Sequence, residues 1–215
     1  MSPKAPPTWA SRSGPHSKVK MSEPDHGNPW TKLSGRITYT NPWITVREDQ
    51  VIRPDGQPGI YGVVEFQNRA IGILPVEDDG SLWLVGQYRY TLNVYSWEIP
   101  EGGCPTGEDP LHAASRELRE ETGLIAERIE PLGGLLHLSN SVSNEAGWLF
   151  RATSLKPGPS EPEATERLHV RRVTWHDAWD MLTSGQITDS LSVTALLHEA
   201  LRRSTIAPNS GSHVS

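Results

Sequence analysis

The chain has 215 residues, 35% hydrophobic and 21% charged, which is typical of one domain of moderate size or one domain with a small appendage. A net charge of −6 at pH 7 argues against nucleic-acid binding through a broad basic face, and no apolar run is long enough to span a bilayer. The single cysteine, Cys104, excludes an internal disulfide, and the start lacks the apolar core of a signal peptide, so we expect a cytoplasmic protein.

The first predicted elements follow an irregular arm. Residues 1–30 are rich in Pro, Ser, Gly and Lys and are predicted to be disordered, as is the polar tail at 204–215. Residues 31–67 are predicted to form an N-terminal β-sheet subdomain, because GRITYT, WITVRED and GIYGVVEF are rich in β-branched and aromatic residues and are separated by turn residues. The sheet is predicted to be small and antiparallel. The main domain is assigned to residues 68–203.

The segments of the main domain predict strands mixed with few helices. AIGILPV and LWLVGQY, separated by EDDG, predict a hairpin, and YSWEIP, LGGLLHL, GWLFRAT and LHVRRVTW are further strand candidates. Two helices are predicted near the end: HDAWDMLTSG, stopped by Gly185, and TDSLSVTALLHEALRR, opened by a capping Thr or Asp. This order predicts an α/β domain with a mixed sheet.

The densest charge lies in GGCPTGEDPLHAASRELREETGL, residues 102–124. Asp109 followed by Pro110 predicts a helix start, and Gly123 predicts its end about three turns later. Leu111, Ala114 and Leu118 lie at positions i, i+3 and i+7, and this helical spacing predicts that they form the buried stripe of the helix.

Carboxylates gather beside that stripe. Glu117 and Glu121 lie one turn apart, with Glu120 next to them. Like charges at this spacing destabilise a helix by about 0.2–0.5 kcal/mol, so helix propensity gives no reason for the clustering. Arg116 can relieve part of the repulsion from Glu120, and a divalent cation, Mg²⁺ or Mn²⁺, would relieve the rest. The alternative is a solvated helix face, which acidic runs usually form.

The whole stretch matches the pattern G-x5-E-x7-R-E-U-x-E-E-x-G-U, in which U is aliphatic. Its nine fixed positions are filled by Gly102, Glu108, Arg116, Glu117, Leu118, Glu120, Glu121, Gly123 and Leu124. This pattern resembles the Nudix box, the signature of the Nudix hydrolases. The resemblance implies an α/β/α sandwich with a mixed sheet, here preceded by the small N-terminal antiparallel sheet. It also implies metal-dependent cleavage of a nucleoside diphosphate linked to another moiety.

The resemblance further implies a role for each position of the box. Glu117 and Glu121 would be the main ligands of Mg²⁺, and Glu120 a further ligand or the catalytic base. Glu108 would support them from outside, and Arg116 would orient the glutamates.

Two residues at the start of the box complete this implied site. The backbone carbonyl of Glu101 would be a further metal ligand, and Gly102 would let the chain turn tightly.

Segments around the box resemble the branch of ADP-ribose and nucleoside diphosphate sugar pyrophosphatases. These segments are QYRY, YSWEIPEGG and GQITDSLSVTALLHEAL. The branch implies a homodimer built on the N-terminal sheet, whose aromatic residues help to hold the base. Trp43 and Tyr61 are the candidates for stacking, with ordinary sheet packing as the alternative for each. Arg89 would contact a phosphate or, alternatively, pair with Glu98.

The branch also places a glutamate on a late loop, where it can activate the attacking water. EPEATERLHV offers Glu166, which matches best, and Glu163; the alternative for both is a solubilising loop residue. Glu145 is a candidate contact for substrate or metal, with a plain loop role as the alternative. ADP-ribose-specific members carry a proline about fifteen residues beyond the box, where this chain has Ser139, which leaves room for other sugars such as GDP-mannose.

The sequence therefore predicts Mg²⁺-dependent hydrolysis of a nucleoside diphosphate sugar to a nucleoside monophosphate and a sugar phosphate. One alternative keeps the chemistry and changes the substrate to a dinucleotide or an oxidised nucleotide. Another is a sensor that binds a nucleotide sugar without cleaving it. A sensor would be expected to lose box glutamates, and every one is present here.

Overall fold

The structure is a computed structural model that describes residues 27–158 and 167–206. Most of the predicted disordered arm (1–30) and tail (204–215) lies outside these ranges. The described residues form eleven strands and three helices: β1 (Thr31–Thr40), β2 (Ile44–Ile52), β3 (Pro58–Phe66), β4 (Arg69–Pro75), β5 (Leu82–Arg89), β6 (Val94–Glu98), β7 (Glu101–Cys104), α1 (Pro110–Thr122), β8 (Leu124–Pro131), β9 (Leu136–His137), β10 (Ala146–Pro157), β11 (His169–Val173), α2 (Trp175–Thr183) and α3 (Ser190–Ile206). None of these helices is long and apolar enough to cross a membrane.

The first three strands form the small antiparallel sheet that the sequence predicts, in the order β1-β2-β3. In the turn between β1 and β2, the Asn41 side chain accepts hydrogen bonds from the amides of Trp43 (2.9 Å) and Ile44 (2.8 Å). This turn presents Trp43 to solvent beside the main domain.

The N-terminal sheet is hydrogen-bonded to a loop of the main domain. The amide of Val64 donates to the carbonyl of Val142 (2.8 Å), and the amide of Asn144 donates back to Val64 (3.2 Å). The amide of Phe66 donates to the Asn144 side chain (2.7 Å). The loop that leads into Glu145 is therefore held by β3.

The main domain is an α/β/α sandwich, as the family resemblance implies. Its mixed sheet has the order β7-β4-β10-β8, with β10 parallel to β4 and antiparallel to β8, and β9 added on β10. A second, antiparallel sheet has the order β11-β5-β6. On one side, a core that includes Ile71 and Ile73 packs against Ala114 and Leu118 of α1. On the other, a second core joins the sheets to α2 and α3.

Two strand predictions differ from the structure. The EDDG turn forms, with Gly80 at φ 83°, but the predicted hairpin is wrong beyond one bridge between Val76 and Leu82, since β4 and β5 belong to different sheets. An apolar strand buried on both faces can pair with several partners, and local sequence does not choose between them. LGGLLHL supplies only the two-residue β9, because Gly133 adopts φ 93° and interrupts the extended chain.

The ends of α1 are confirmed, but its predicted buried stripe is partly wrong. Asp109 caps the start by accepting hydrogen bonds from two amides, and Gly123 ends the helix at φ 68° with its amide on Arg119. Leu111 is 41% exposed, and Ala113 is buried in its place. The buried face of the helix also includes Glu117 and Glu121, so part of it is acidic.

The start of α3 settles the alternative between two caps. Asp189 is the capping residue, since its carboxylate accepts a hydrogen bond from the amide of Ser192 (2.8 Å). For α2, the cap is Thr174, and the chain turns away at Gly185 with φ 76°.

Candidate active site

Arg116 gathers the carboxylates of the box around one guanidinium group. It donates to Glu108 (3.1 and 3.3 Å), to Glu117 (2.7 Å) and to Glu120 (3.0 Å), and also to the carbonyl of Gly103 (2.8 Å). The hydrogen bond with Glu108 is the largest cause that raises the pKa of Arg116 above its usual value. The guanidinium thus stays charged and sets the positions of three glutamates, as its expected orienting role requires; that role stays a prediction.

The carboxylate of Glu117 lies directly against Gly102. A Cβ atom built on Gly102 would lie 2.0 Å from Cδ of Glu117 and 2.1 and 2.2 Å from its two oxygens. Gly102 itself lies within the extended strand β7 and has no positive φ. The expectation that this glycine allows a tight turn is therefore wrong; it makes room for a carboxylate.

The carboxylate of Glu121 faces the preceding residue of the same strand. Its Oε2 accepts a hydrogen bond from the amide of Glu101 (2.9 Å). Both glutamates are buried, Glu117 at 8% and Glu121 at 5% exposure. The two buried carboxylates thus contact consecutive residues of β7, Glu101 and Gly102.

The strand register points both the amide and the carbonyl of Glu101 away from β4, toward the outer edge of β7. Glu101 pairs with Gly72 of β4, and the amide of Ile73 donates to the carbonyl of Pro100 (2.9 Å). This pattern makes Glu101 and Gly72 a non-hydrogen-bonded pair, in which both backbone groups of a residue point away from the neighbouring strand. Since β7 is the edge of its sheet, the Glu101 carbonyl lies on the free edge that Glu121 faces.

The donors at this edge suit a hard divalent cation. Two carboxylates and a carbonyl are the oxygen ligands that Mg²⁺ prefers, and buried carboxylates need compensating positive charge. Arg116 supplies part of it to Glu117. Within the described residues no three acidic, His or Cys side chains are grouped closely enough to form a metal site by themselves. In the expected ligand set the Glu101 carbonyl joins Glu117 and Glu121, and that set stays a prediction.

A cleft made of two merging cavities opens beside this edge. The larger cavity has a volume of about 690 Å³, and its walls carry hydroxyl and carboxyl groups. The smaller has a volume of about 410 Å³, and its walls include two aromatic side chains. The two cavities share Ala70, Arg89, Glu101, Glu145 and Leu191.

The aromatic walls are Trp43 and Phe66. Trp43 is 69% exposed and lies over the smaller cavity. Tyr61, the other stacking candidate, is not on the wall of either cavity: its hydroxyl donates to the carbonyl of Ser141 (2.7 Å), and its ring meets Trp30 edge-on at 5.1 Å. Phe66 is not among the residues predicted from the sequence; its pairing with Ile44 at the end of β3 brings it near Trp43.

Arg89 and Glu98 form a pair at the junction of the cavities. Nε of Arg89 donates to both oxygens of Glu98 (2.9 and 3.1 Å), and Glu98 is 2% exposed. Burial lowers the pKa of Arg89, but the hydrogen bonds and charge of Glu98 outweigh it and raise that pKa. The ion pair that the sequence offers as an alternative is thus present, and a phosphate contact stays a prediction.

Besides Glu98, three further carboxyl groups line the larger cavity, which Arg89 also lines. Burial, followed by a hydrogen bond with Asp189, raises the pKa of Glu101 well above its usual value. Burial would also raise the pKa of Asp189, but hydrogen bonds from Glu101 and Ser192 lower it on balance. Burial raises the pKa of Glu145. From the sequence, Asp189 was predictable only as a helix cap, because its approach to Glu101 depends on long-range packing.

The two candidates for the catalytic base on the late loop, Glu163 and Glu166, lie outside the described residues. Their roles stay predictions.

Comparison with known proteins gives matches to two family models. Residues 30–64 match the nucleoside diphosphate sugar hydrolase N-terminal domain, and residues 66–196 match the NUDIX domain. The chain is 31% identical to an ADP-ribose pyrophosphatase of Mycobacterium tuberculosis over 169 residues, 77% of this chain and 80% of the relative. It is 30% identical over 176 residues to a methanol dehydrogenase activator of Bacillus methanolicus, covering 79% and 91% of the two chains.

Among solved structures, an ADP compounds hydrolase has the same fold. The TM-score is 0.74 at 24% sequence identity, and the match covers 82% of this chain and 95% of the other.

Proposed function

This chain is a Nudix hydrolase, and from that premise we propose that it hydrolyses the pyrophosphate bond of nucleoside diphosphate sugars, ADP-ribose and GDP-mannose among them, with Mg²⁺. The products are a nucleoside monophosphate and a sugar phosphate. One observation carries the proposal: Glu101 and Gly102 contact the carboxylates of Glu121 and Glu117 and also form the wall of the cleft.

The two cavities suit the two ends of such a substrate. Trp43 and Phe66 offer aromatic faces to a base in the smaller cavity, and the hydroxyl and carboxyl groups of the larger cavity suit a sugar. The diphosphate then lies at the junction, near Arg89 and the edge of β7. This placement brings the bond to be cleaved next to the box carboxylates.

At that junction, side chains and a backbone carbonyl of the chain would bind the cation and activate the attacking water. Glu117, Glu121 and the Glu101 carbonyl would hold the cation, with Glu120 as a further ligand or base. A bound Mg²⁺ would neutralise the diphosphate oxygens and make a water molecule a better nucleophile. Arg116 keeps Glu117 and Glu120 in place, and Glu163 or Glu166 would take the proton from the attacking water.

The N-terminal sheet supports a further proposal, that the protein is a homodimer. Apolar side chains are exposed along it, including Leu33 (61%), Ile37 (66%) and Ile60 (65%). Exposed apolar side chains on a small sheet are candidates for burial against a second copy of the chain. Light scattering should give twice the mass of one chain, and a monomer at micromolar concentration would contradict this proposal.

A panel of nucleoside diphosphate sugars, dinucleotides and oxidised nucleotides tests the substrate class. With Mg²⁺ and a coupled phosphatase, we expect phosphate release from the sugars at rates above those from the other two groups. Faster release from dinucleotides or oxidised nucleotides would favour the alternative substrates. A rise in melting temperature with a nucleotide sugar but no product would favour a sensor.

A further inference from the structure

Ser192 joins the start of α3 to the chain segment at residues 99–101. The amide of Ile99 donates to Oγ of Ser192 (2.9 Å), and this hydroxyl donates to Oε1 of Glu101 (3.0 Å). Ser192 is fully buried, and its own amide is held by Asp189. These two hydrogen bonds both join Ser192 to one short segment.

That segment carries the chain from one sheet to the other. β6 ends at Glu98 in the sheet β11-β5-β6, and β7 begins at Glu101 in the sheet β7-β4-β10-β8. Pro100 has no amide hydrogen to donate, so the backbone here has fewer hydrogen bonds than a continuous strand. Glu121 of α1 holds the amide of Glu101, and Ser192 of α3 holds the residues on either side of Pro100.

We propose that Ser192 is a positioning residue for the divalent cation: it holds the Glu101 peptide so that its carbonyl lies with Glu117 and Glu121 on the free edge of β7. This inference rests on the proposed function, in which these oxygens hold the metal. Mg²⁺ requires nearly ideal geometry with ligands at about 2.0–2.1 Å, so a small shift of this peptide would weaken binding. Glu121 also holds the Glu101 peptide, but it would be a metal ligand itself. Ser192 holds the same segment and would not be a ligand.

Binding of Mn²⁺ to the full chain, measured without substrate by electron paramagnetic resonance or calorimetry, tests the inference. Loss of a group that orients a ligand typically weakens metal binding 10–100-fold, so we expect Ser192→Ala to weaken Mn²⁺ binding about tenfold, which corresponds to about 1.4 kcal/mol. Ser192→Thr keeps the hydroxyl and should bind more tightly than the alanine variant.

Thr194→Ala is the matched control. Thr194 lies on the same helix, but its hydroxyl donates to the carbonyl of Ser190 (2.7 Å) within that helix. This variant should bind Mn²⁺ as the wild type does. If Ser192→Ala does not fold, Ser192→Cys replaces it, because a thiol is a weak hydrogen-bonding group of similar size.

A melting temperature that falls in Ser192→Ala while Mn²⁺ affinity stays within twofold of wild type would overturn the inference and leave a purely structural serine. Wild-type protein that binds no Mn²⁺ would overturn it too. Weaker Mn²⁺ binding in a protein that cleaves no nucleotide sugar would support the inference and refute the proposed function. In an active enzyme, the variant should need more Mg²⁺ for half-maximal rate and keep kcat nearly unchanged at saturating Mg²⁺.

Discussion

At position 102, only glycine lets the Glu117 carboxylate lie against β7, because any other residue would place a Cβ atom where that carboxylate lies. The same short stretch of strand holds Glu121 through the amide of Glu101. Side chains from α1 thus reach into a space that only a residue without Cβ leaves open. At this scale, the acidic run differs from a solvated helix face because two of its carboxylates are buried.

We predict that Gly102→Ala will displace Glu117 and destabilise the fold by about 1–3 kcal/mol, the usual range for overpacking. Mn²⁺ affinity should fall as well, because a ligand is moved. Urea unfolding and Mn²⁺ titration measure the two effects. Gly62→Ala is the control, since a Cβ at that strand position meets nothing within 4 Å. Equal behaviour of the two variants would contradict the packing described for Glu117.

We predict that Glu121→Gln will lower kcat by about 10²–10³-fold, the scale at which a single charge-stabilising group acts. The amide oxygen of Gln can still accept from Glu101, so the melting temperature should change little. Steady-state kinetics with Mg²⁺ measures the loss. Glu127→Gln removes an exposed carboxylate that pairs with Lys156 on the surface and should leave kcat unchanged. Retained activity in Glu121→Gln would remove this residue from the metal site.

Among the elements, the turn between β4 and β5 depends on an ionised side chain. Hydrogen bonds from the hydroxyl and amide of Ser81, and then from Arg172, lower the pKa of Asp79 from 3.8 to about 2. Arg172 lies on β11, so this carboxylate ties the turn to the antiparallel sheet.

This shift has a defined effect on acid stability. Because the pKa of Asp79 is lower in the folded than in the unfolded chain, its ionised form stabilises the fold above pH 3.8, and this contribution is lost as the pH falls towards about 2. We predict that Asp79→Asn will melt at a lower temperature than wild type near neutral pH, and that the difference will shrink through this window. Asp78→Asn, which removes an exposed carboxylate from the same turn, is the matched control, and an equal loss of melting temperature in both variants would contradict the role of the Asp79 hydrogen bonds.

Element by element, local signals and the small antiparallel sheet β1-β2-β3 were predictable from the sequence, but the pairing of β4 and β5 was not. The start of α1 at Asp109-Pro110 and its end at Gly123 follow from backbone chemistry within four residues, and the structure confirms both. β4 and β5 pair with different strands, some of them distant in sequence, and the residues of the turn between them do not determine which strands those are.

The candidate site shows the same division. The box positions are close in sequence, so their clustering could be predicted. Phe66, Asp189 and Ser192 reach the site only through packing between distant segments, and none of them was predicted as part of it.

In the molecule as a whole, a buried ion pair attaches α3 to the central sheet. Arg151 of β10 donates to Glu199 (2.8 Å), and Arg203 donates to the same carboxylate (2.9 Å). Glu199 is 1% exposed. The helix that carries Ser192 is therefore held on the sheet by charge as well as by apolar packing.

We predict that Glu199→Ala will lower the free energy of unfolding by about 3–5 kcal/mol, because it removes the nearest carboxylate from the buried guanidinium of Arg151. Denaturant unfolding measures the change. Glu48→Ala removes a carboxylate from the exposed pair with Arg36 and should cost at most about 1 kcal/mol. A loss in Glu199→Ala no larger than that of Glu48→Ala would contradict a structural role for the buried pair.

The hydrogen bonds between β3 and the loop at 141–144 have a consequence for protein engineering. A cut near residue 67 would sever the wall of the cleft from its support, because the loop that carries Glu145 would lose its backbone partners. Grafting the first sheet from another homologue would succeed only if the matching loop were transplanted with it. For engineering, the first sheet and the loop at 141–144 therefore have to be treated as one unit, although they are far apart along the chain.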